Sequence, residues 1–140
     1  MRFWIDMVRM PSEVVETLQK QKPTPIATAN LVGVPNVVYV GSIKILDDEN
    51  IMIGDNFFNK TLKNLEENPL ISILCWDAEQ KRSYQIKGSV KIHTHGPVFE
   101  EMRAWIHSTR PELPAKSCVM VKVEEVYNAK SGPDAGKRIA

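Results

Sequence analysis

Gly54-Asp55-Asn56-Phe57-Phe58-Asn59-Lys60-Thr61-Leu62-Lys63-Asn64-Leu65 carries the chain from a short apolar run, Ile51-Met52-Ile53, into a helix. Phe58, Leu62 and Leu65 fall four and three apart, the spacing of one helical face. Gly54, Asp55 and Asn56 are turn formers, and Asn59 is a good N-cap with Lys60 and Thr61 just inside. Such a turn brings unpaired backbone N–H groups, an ammonium and a hydroxyl to one place. An anion, most naturally a phosphate, would be held there by the helix start and Lys60 together. A lysine on an ordinary solvated helix start is the competing reading, and the turn alone does not choose.

Upstream of this turn, Asp47-Asp48-Glu49-Asn50 is a tight polar connection from a long β-rich run, Asn36 to Leu46. Valines, Ile43 and Ile45 dominate that run, and Gly41 offers a place to bend or bulge. Before it come a turn at Leu31-Val32-Gly33-Val34-Pro35, a strand at Ile26-Ala27-Thr28-Ala29, and a helix from Ser12 to Gln21. Pro11 stands near the start of that helix, and Pro23 and Pro25 close it. Downstream, Asn68-Pro69 stops the central helix and Leu70 to Trp76 reads as a strand. After a polar turn at Asp77 to Lys81, Tyr84 to Thr94 alternates as a half-wet strand. Gly96-Pro97 opens a helix with Val98, Phe99, Met102, Trp105 and Ile106 on its buried side, closed by Pro111 and Pro114. Val119 to Val126 is the last strand, and Ser131 to Ala140 is a polar tail. The order is helix, three strands, helix, two strands, helix, strand. Short polar turns between neighbouring strands imply antiparallel pairing. The class expected is mainly β, about six strands and three helices, in a barrel or strongly coiled sheet with helices at its rims.

With 140 residues, the chain is read as a single domain, 1–140, with no repeat or linker to divide it. Eighteen Lys and Arg against 17 acids leave a net charge of +1 without a basic block, which argues against a general nucleic-acid binder. No apolar run approaches the roughly 20 residues that cross a bilayer. Met1-Arg2-Phe3-Trp4-Ile5-Asp6 meets charge too early for a secretory signal. Cys75 and Cys118 each sit inside an apolar run and read as buried, reduced thiols. The compartment expected is cytoplasmic. His93 and His95 are two apart on a strand, but no further ligand is placed to join them, so they read as polar strand-end residues rather than a metal site. Nucleophile-elbow, zincin and dinucleotide fingerprints are absent. No catalytic residue is assigned.

The residues that remain form a pattern. Val34-Pro35-Asn36-Val37-Val38, Lys44-Ile45-Leu46-Asp47-Asp48 and the turn from Asp55 through Leu65 resemble the pyridoxamine 5'-phosphate oxidase-related FMN-binding proteins. Tyr84-Gln85-Ile86-Lys87-Gly88, Gly96-Pro97-Val98-Phe99-Glu100 and Gly132-Pro133-Asp134-Ala135-Gly136-Lys137 resemble the small, stand-alone branch of that family. The resemblance covers about residues 11 to 139 in the expected order. It implies a split β-barrel and a homodimer with FMN at the subunit interface. By the same resemblance Lys60 and Thr61 bind the FMN phosphate, and Val38, Tyr39 and Val40 line the isoalloxazine. Asp55, Asn56 and Phe57 would pass beneath the ribityl chain, and Gln85 would reach the flavin from another strand.

The chain departs from the true oxidases of that family. Those carry an arginine at the start of the second strand, paired basic residues at the phosphate turn and a basic C-terminal segment. Here the strand reads Asn36-Val37-Val38-Tyr39-Val40, Lys60 is followed by Thr61, and the tail does not match. The expectation is an FMN flavoprotein exchanging electrons with a small-molecule or protein partner, not an oxidase of pyridoxamine phosphate. A deazaflavin-using or nitro-compound reductase, or a flavin-binding module without turnover, are the alternatives.

Overall fold

The computed structural model describes residues 8–140, so the N-terminal segment Met1 to Asp6 lies outside the described residues. The elements are α1 (Ser12–Lys20), β1 (Thr24–Ala29), β2 (Pro35–Val40), β3 (Ile43–Ile45), β4 (Asn50–Asp55), α2 (Lys60–Glu67), β5 (Leu70–Asp77), β6 (Arg82–His93), α3 (Pro97–Thr109) and β7 (Ser117–Asn128). All seven strands join one antiparallel sheet in the order β2-β1-β5-β6-β7-β4-β3. The mainly β, antiparallel class is as expected. The long run from Asn36 to Leu46 is two strands, however, because the chain bends at Gly41 and Ser42.

That bend decides the shape. β2 and β3 are the two outermost strands of the sheet, yet only Gly41 and Ser42 lie between them. Such a link spans at most about 11 Å between the flanking Cα atoms. The edges of a flat seven-stranded sheet would be roughly 29 Å apart. The sheet must therefore curl until its edges nearly meet, leaving a seam between β2 and β3. This is a split barrel. The amide of Gly54 donates to Ser42 O at 2.9 Å, holding the link against the end of β4.

The barrel interior holds the larger core. Ile26, Ile51, Ile53, Ile73, Ile86, Val119, Val121 and Val123 point inward, and Val14 and Leu18 of α1 plug them from one end. A second cluster forms outside the wall, where Phe99, Met102 and Ile106 of α3 cover Met52 and Cys118. β4 is thus buried on both faces, which explains its unbroken apolar run. Gly88 sits at the register shift of β6, where an added Cβ would lie 2.3 Å from Lys122 O. A side chain there would collide with backbone, so the bulge requires glycine.

Cys75 and Cys118 are fully buried, as the sequence implied. Burial pushes both thiols up to about 11, opposed at Cys75 by a bond to Tyr84 O and reinforced at Cys118 by Glu101. Neutral, inaccessible thiols are poor nucleophiles. A thiol-specific chromogenic reagent at pH 7 is expected to titrate neither cysteine in the folded protein and both in denaturant. Fast reaction of one thiol in the folded chain would contradict this burial.

The tail is ordered on its own chain. β7 outruns β4 beyond Lys122, and the last residues fill the vacated edge. Val126 N donates to Ala140 O at 3.0 Å, Ile139 N to Val126 O at 2.8 Å, and Asn128 N to Lys137 O at 2.8 Å.

Candidate functional site

A cleft of about 290 Å³ opens along the seam. One wall is Val38, Tyr39 and Val40 at the end of β2, continuing through Gly41 and Ser42. The other is Gly54 and the turn from Asn56 to Thr61, which leads into α2. Because β2 is an edge strand, the backbone groups on its open side face this space rather than a neighbouring strand. Gly54 lets α3 pack against this wall, since a Cβ there would sit 2.3 Å from Ile106 Cδ1.

The turn is held from behind by two residues. Asp55 is fully buried, and its Oδ1 accepts from the Phe58 amide at 2.9 Å while Oδ2 accepts from the Ser117 hydroxyl at 2.9 Å. Lys116 Nζ stands 4.0 Å from the same carboxylate. Asn56 donates from Nδ2 to Ser42 Oγ at 3.0 Å and accepts the Ala115 amide at Oδ1, also at 3.0 Å. Asp55 therefore sets the shape of the turn and does not line the cleft. Asn59, expected to cap α2, makes no side-chain cap bond, and its φ of −127° with ψ of −87° departs from the usual extended cap. The Asp55 carboxylate does the ordering instead, three residues before Phe58. The first-turn amides of α2 are consequently left without a side-chain acceptor.

Lys60 is exposed at the cleft mouth and has no ion-pair partner among the described residues. Thr61 is 2% exposed, and its Oγ1 accepts from Asn36 Nδ2 at 3.0 Å, leaving the hydroxyl proton to donate. Asn36 also reaches Thr28 Oγ1 at 3.3 Å, where Asn64 Nδ2 arrives at 3.1 Å. This small polar network ties β1, β2 and α2 together beneath the α2 end of the cleft. Sequence reasoning missed Asn36 as a site residue. Its signal was there, a polar residue two before Val38 and four before Val40, on the inward face of a valine-rich strand. Gly41 and Ser42 were also missed, because their role follows only from the seam.

Beyond Phe57 the cleft continues into a second hollow of about 360 Å³, sharing Gly41, Ser42, Asn56 and Phe57 and reaching Lys22, Trp105 and Arg110. Gln85 is elsewhere. It pairs with Leu74 and Tyr127 on the outer face of the sheet, away from the cleft of its own chain. Register places Val37, Tyr39, Leu74 and Trp76 on that same face, and all four are exposed. Among the described residues no group of three or more His, Cys, Asp and Glu is placed to hold a metal ion, and no helix is long and apolar enough to cross a membrane.

A curled antiparallel sheet whose edges meet at a two-residue link, with a helix start at the seam, defines a split-barrel protein. The chain belongs to the pyridoxamine 5'-phosphate oxidase family, whose sequence profile matches residues 10–130. An uncharacterized protein of Methanocaldococcus jannaschii is 39% identical over 140 residues, covering 99% of this chain and 93% of the relative. HupZ of Group A Streptococcus superposes with a TM-score of 0.78 at 28% identity, covering 91% of this chain and 99% of that one. An FMN-binding protein of Syntrophomonas wolfei has the same fold, with a TM-score of 0.73, 14% identity and coverage of 92% and 93%.

Proposed function

We propose that the seam cleft binds FMN and that the chain is a cytoplasmic, homodimeric flavoprotein passing electrons between small partners. The observation that carries this reading is convergence. Unpaired Lys60, the Thr61 hydroxyl and the uncapped start of α2 meet at one end of a cleft whose other end is walled by Val38, Val40 and Phe57. A dianionic phosphate joined to a flat apolar ring matches both ends. The cofactor would supply the redox chemistry. The chain's own residues anchor the phosphate, present backbone groups from the open edge of β2, and exclude water with Val38 and Phe57.

At about 290 Å³ the cleft lies at the lower end of ligand pockets, which run roughly 300–1,000 Å³. Tyr39 and Phe57 at its rim are 71% and 76% exposed. A second copy seated on the outer sheet face would cover the rim, deepen the site and bring its Gln85 toward it. Asn36 near the start of β2, in place of a basic residue, supports a reaction other than pyridoxamine phosphate oxidation. A deazaflavin would satisfy the same phosphate end and is the second reading.

The deciding experiment is an absorption spectrum of protein purified without added cofactor, followed by mass identification of what heating releases. Flavin bands with FMN released, or FMN taken up stoichiometrically by ligand-free protein, are the expected outcome. Release of a deazaflavin or of haem, with no FMN uptake, would overturn it.

A further inference from the structure

The largest hollow described lies away from the seam, where the tail loop closes over the β5–β6 turn and the start of α1. Its volume is about 610 Å³, and it shares no residue with the cleft at Lys60. Nothing in the flavin reading uses it. Its wall carries Lys81, Arg82, Lys130 and Lys137 against two acids, Glu13 and Asp134. That is an excess of two positive charges in one hollow of a chain whose total is +1.

The cations are only partly answered from within the chain. Lys137 pairs with Asp134 at 3.2 Å on the open surface, where such pairs are weak. Arg82 reaches Glu16 at a long 3.4 Å through one terminal nitrogen. Lys81 and Lys130 have no ion-pair partner among the described residues. The decisive atom is Arg82 Nε. Among the described residues it is the buried side-chain nitrogen that no acceptor satisfies. Buried polar groups are nearly always hydrogen-bonded, so an orphaned guanidinium N–H asks for an acceptor. The Arg82 side chain keeps 27% of its surface exposed, so the fork can turn to offer Nε and a terminal nitrogen to one oxyanion. The opposing wall is a defined loop, turned by Gly132 (φ +141°) and Gly136 (φ +81°) and fixed by Gly136 N to Asn128 O at 2.8 Å.

We propose that this hollow is a second ligand site, taking a small molecule that bears a phosphate group. Arg82 provides the fork, and Lys81 and Lys130 supply the charge that favours a dianion over a monoanion. A simple carboxylate would leave that charge half answered. Tyr84 on the same wall is buried, and its hydroxyl bonds the Arg82 side chain, which steadies the guanidinium at the edge of the hollow.

The test is a titration of the full chain with inorganic pyrophosphate at constant ionic strength, read by nitrogen–proton NMR. A saturating shift is expected at the Arg82 Nε–H and at the amides of residues 131–137. The double variant Lys81→Gln/Lys130→Gln, both exposed positions, should weaken that saturation at least tenfold. FMN affinity should stay unchanged, which separates this site from the seam. Shifts that grow linearly without saturating, or equal affinity in native and variant chains, would overturn the proposal. So would saturation confined to the amides of residues 60–62.

Discussion

FMN is expected to bind the Lys60→Ala protein roughly 10- to 100-fold more weakly than the native chain, while riboflavin binds both about equally. The substitution removes one charge-assisted hydrogen bond, worth about 1.5–3 kcal/mol, and leaves the Thr61 hydroxyl and the α2 amides in place. Riboflavin lacks the phosphate and so reports on the apolar end alone. Folding should be almost unaffected, since Lys60 is exposed at the first helical position and Ala is a good helix former. Paired fluorescence titrations decide the matter. Equal FMN affinity in the two proteins would move the phosphate elsewhere.

Trp76→Arg should convert the protein from dimer to monomer at micromolar concentration. Trp76 and Leu74 project from the outer face of β5, 48% and 44% exposed, beside Val37 and Tyr39 of β2. Exposed apolar side chains grouped on one sheet face of a small chain are what a subunit contact surface presents. If two copies pair there about a two-fold axis, each substitution is counted twice. A central tryptophan typically contributes roughly 2 kcal/mol or more, so the pair would lose about 4 kcal/mol, close to a thousandfold in dissociation constant. Sedimentation should show the native protein at twice the 15.9 kDa chain mass and the variant at the chain mass. A native protein already monomeric at these concentrations would remove the dimer from the proposed function.

Much of this architecture is legible along the chain because the signals are local. The helix after Asn59, the strand after Asn68-Pro69 and the hairpin at Asp77 to Lys81 follow from periodicity and turn chemistry. What was illegible depends on sheet order. Nothing local says that Val40 and Ile43, three residues apart, belong to opposite edges of one sheet. That also hid Gly41 and Ser42 from the candidate site and put Gln85 on the outer face. Asp55 was ambiguous for a different reason. A carboxylate beside a phosphate turn reads equally as ligand contact or as turn anchor, and only its bonds to Phe58 N and Ser117 Oγ distinguish them. The tail was similarly ambiguous, since its pairing depends on how far β7 outruns β4.

The two-residue link has one more consequence, for the way the molecule breathes. β2 is held by β1 alone and β3 by β4 alone, and singly held strands are ordinarily the first to peel away. Here neither can leave independently, because the tether at Gly41 and Ser42 drags the other edge with it. Opening the seam is thus a joint excursion of both margins, costlier than fraying a free edge. A molecule lodged between them would act as a rivet, and its departure would be timed by that joint excursion rather than by its own contacts alone.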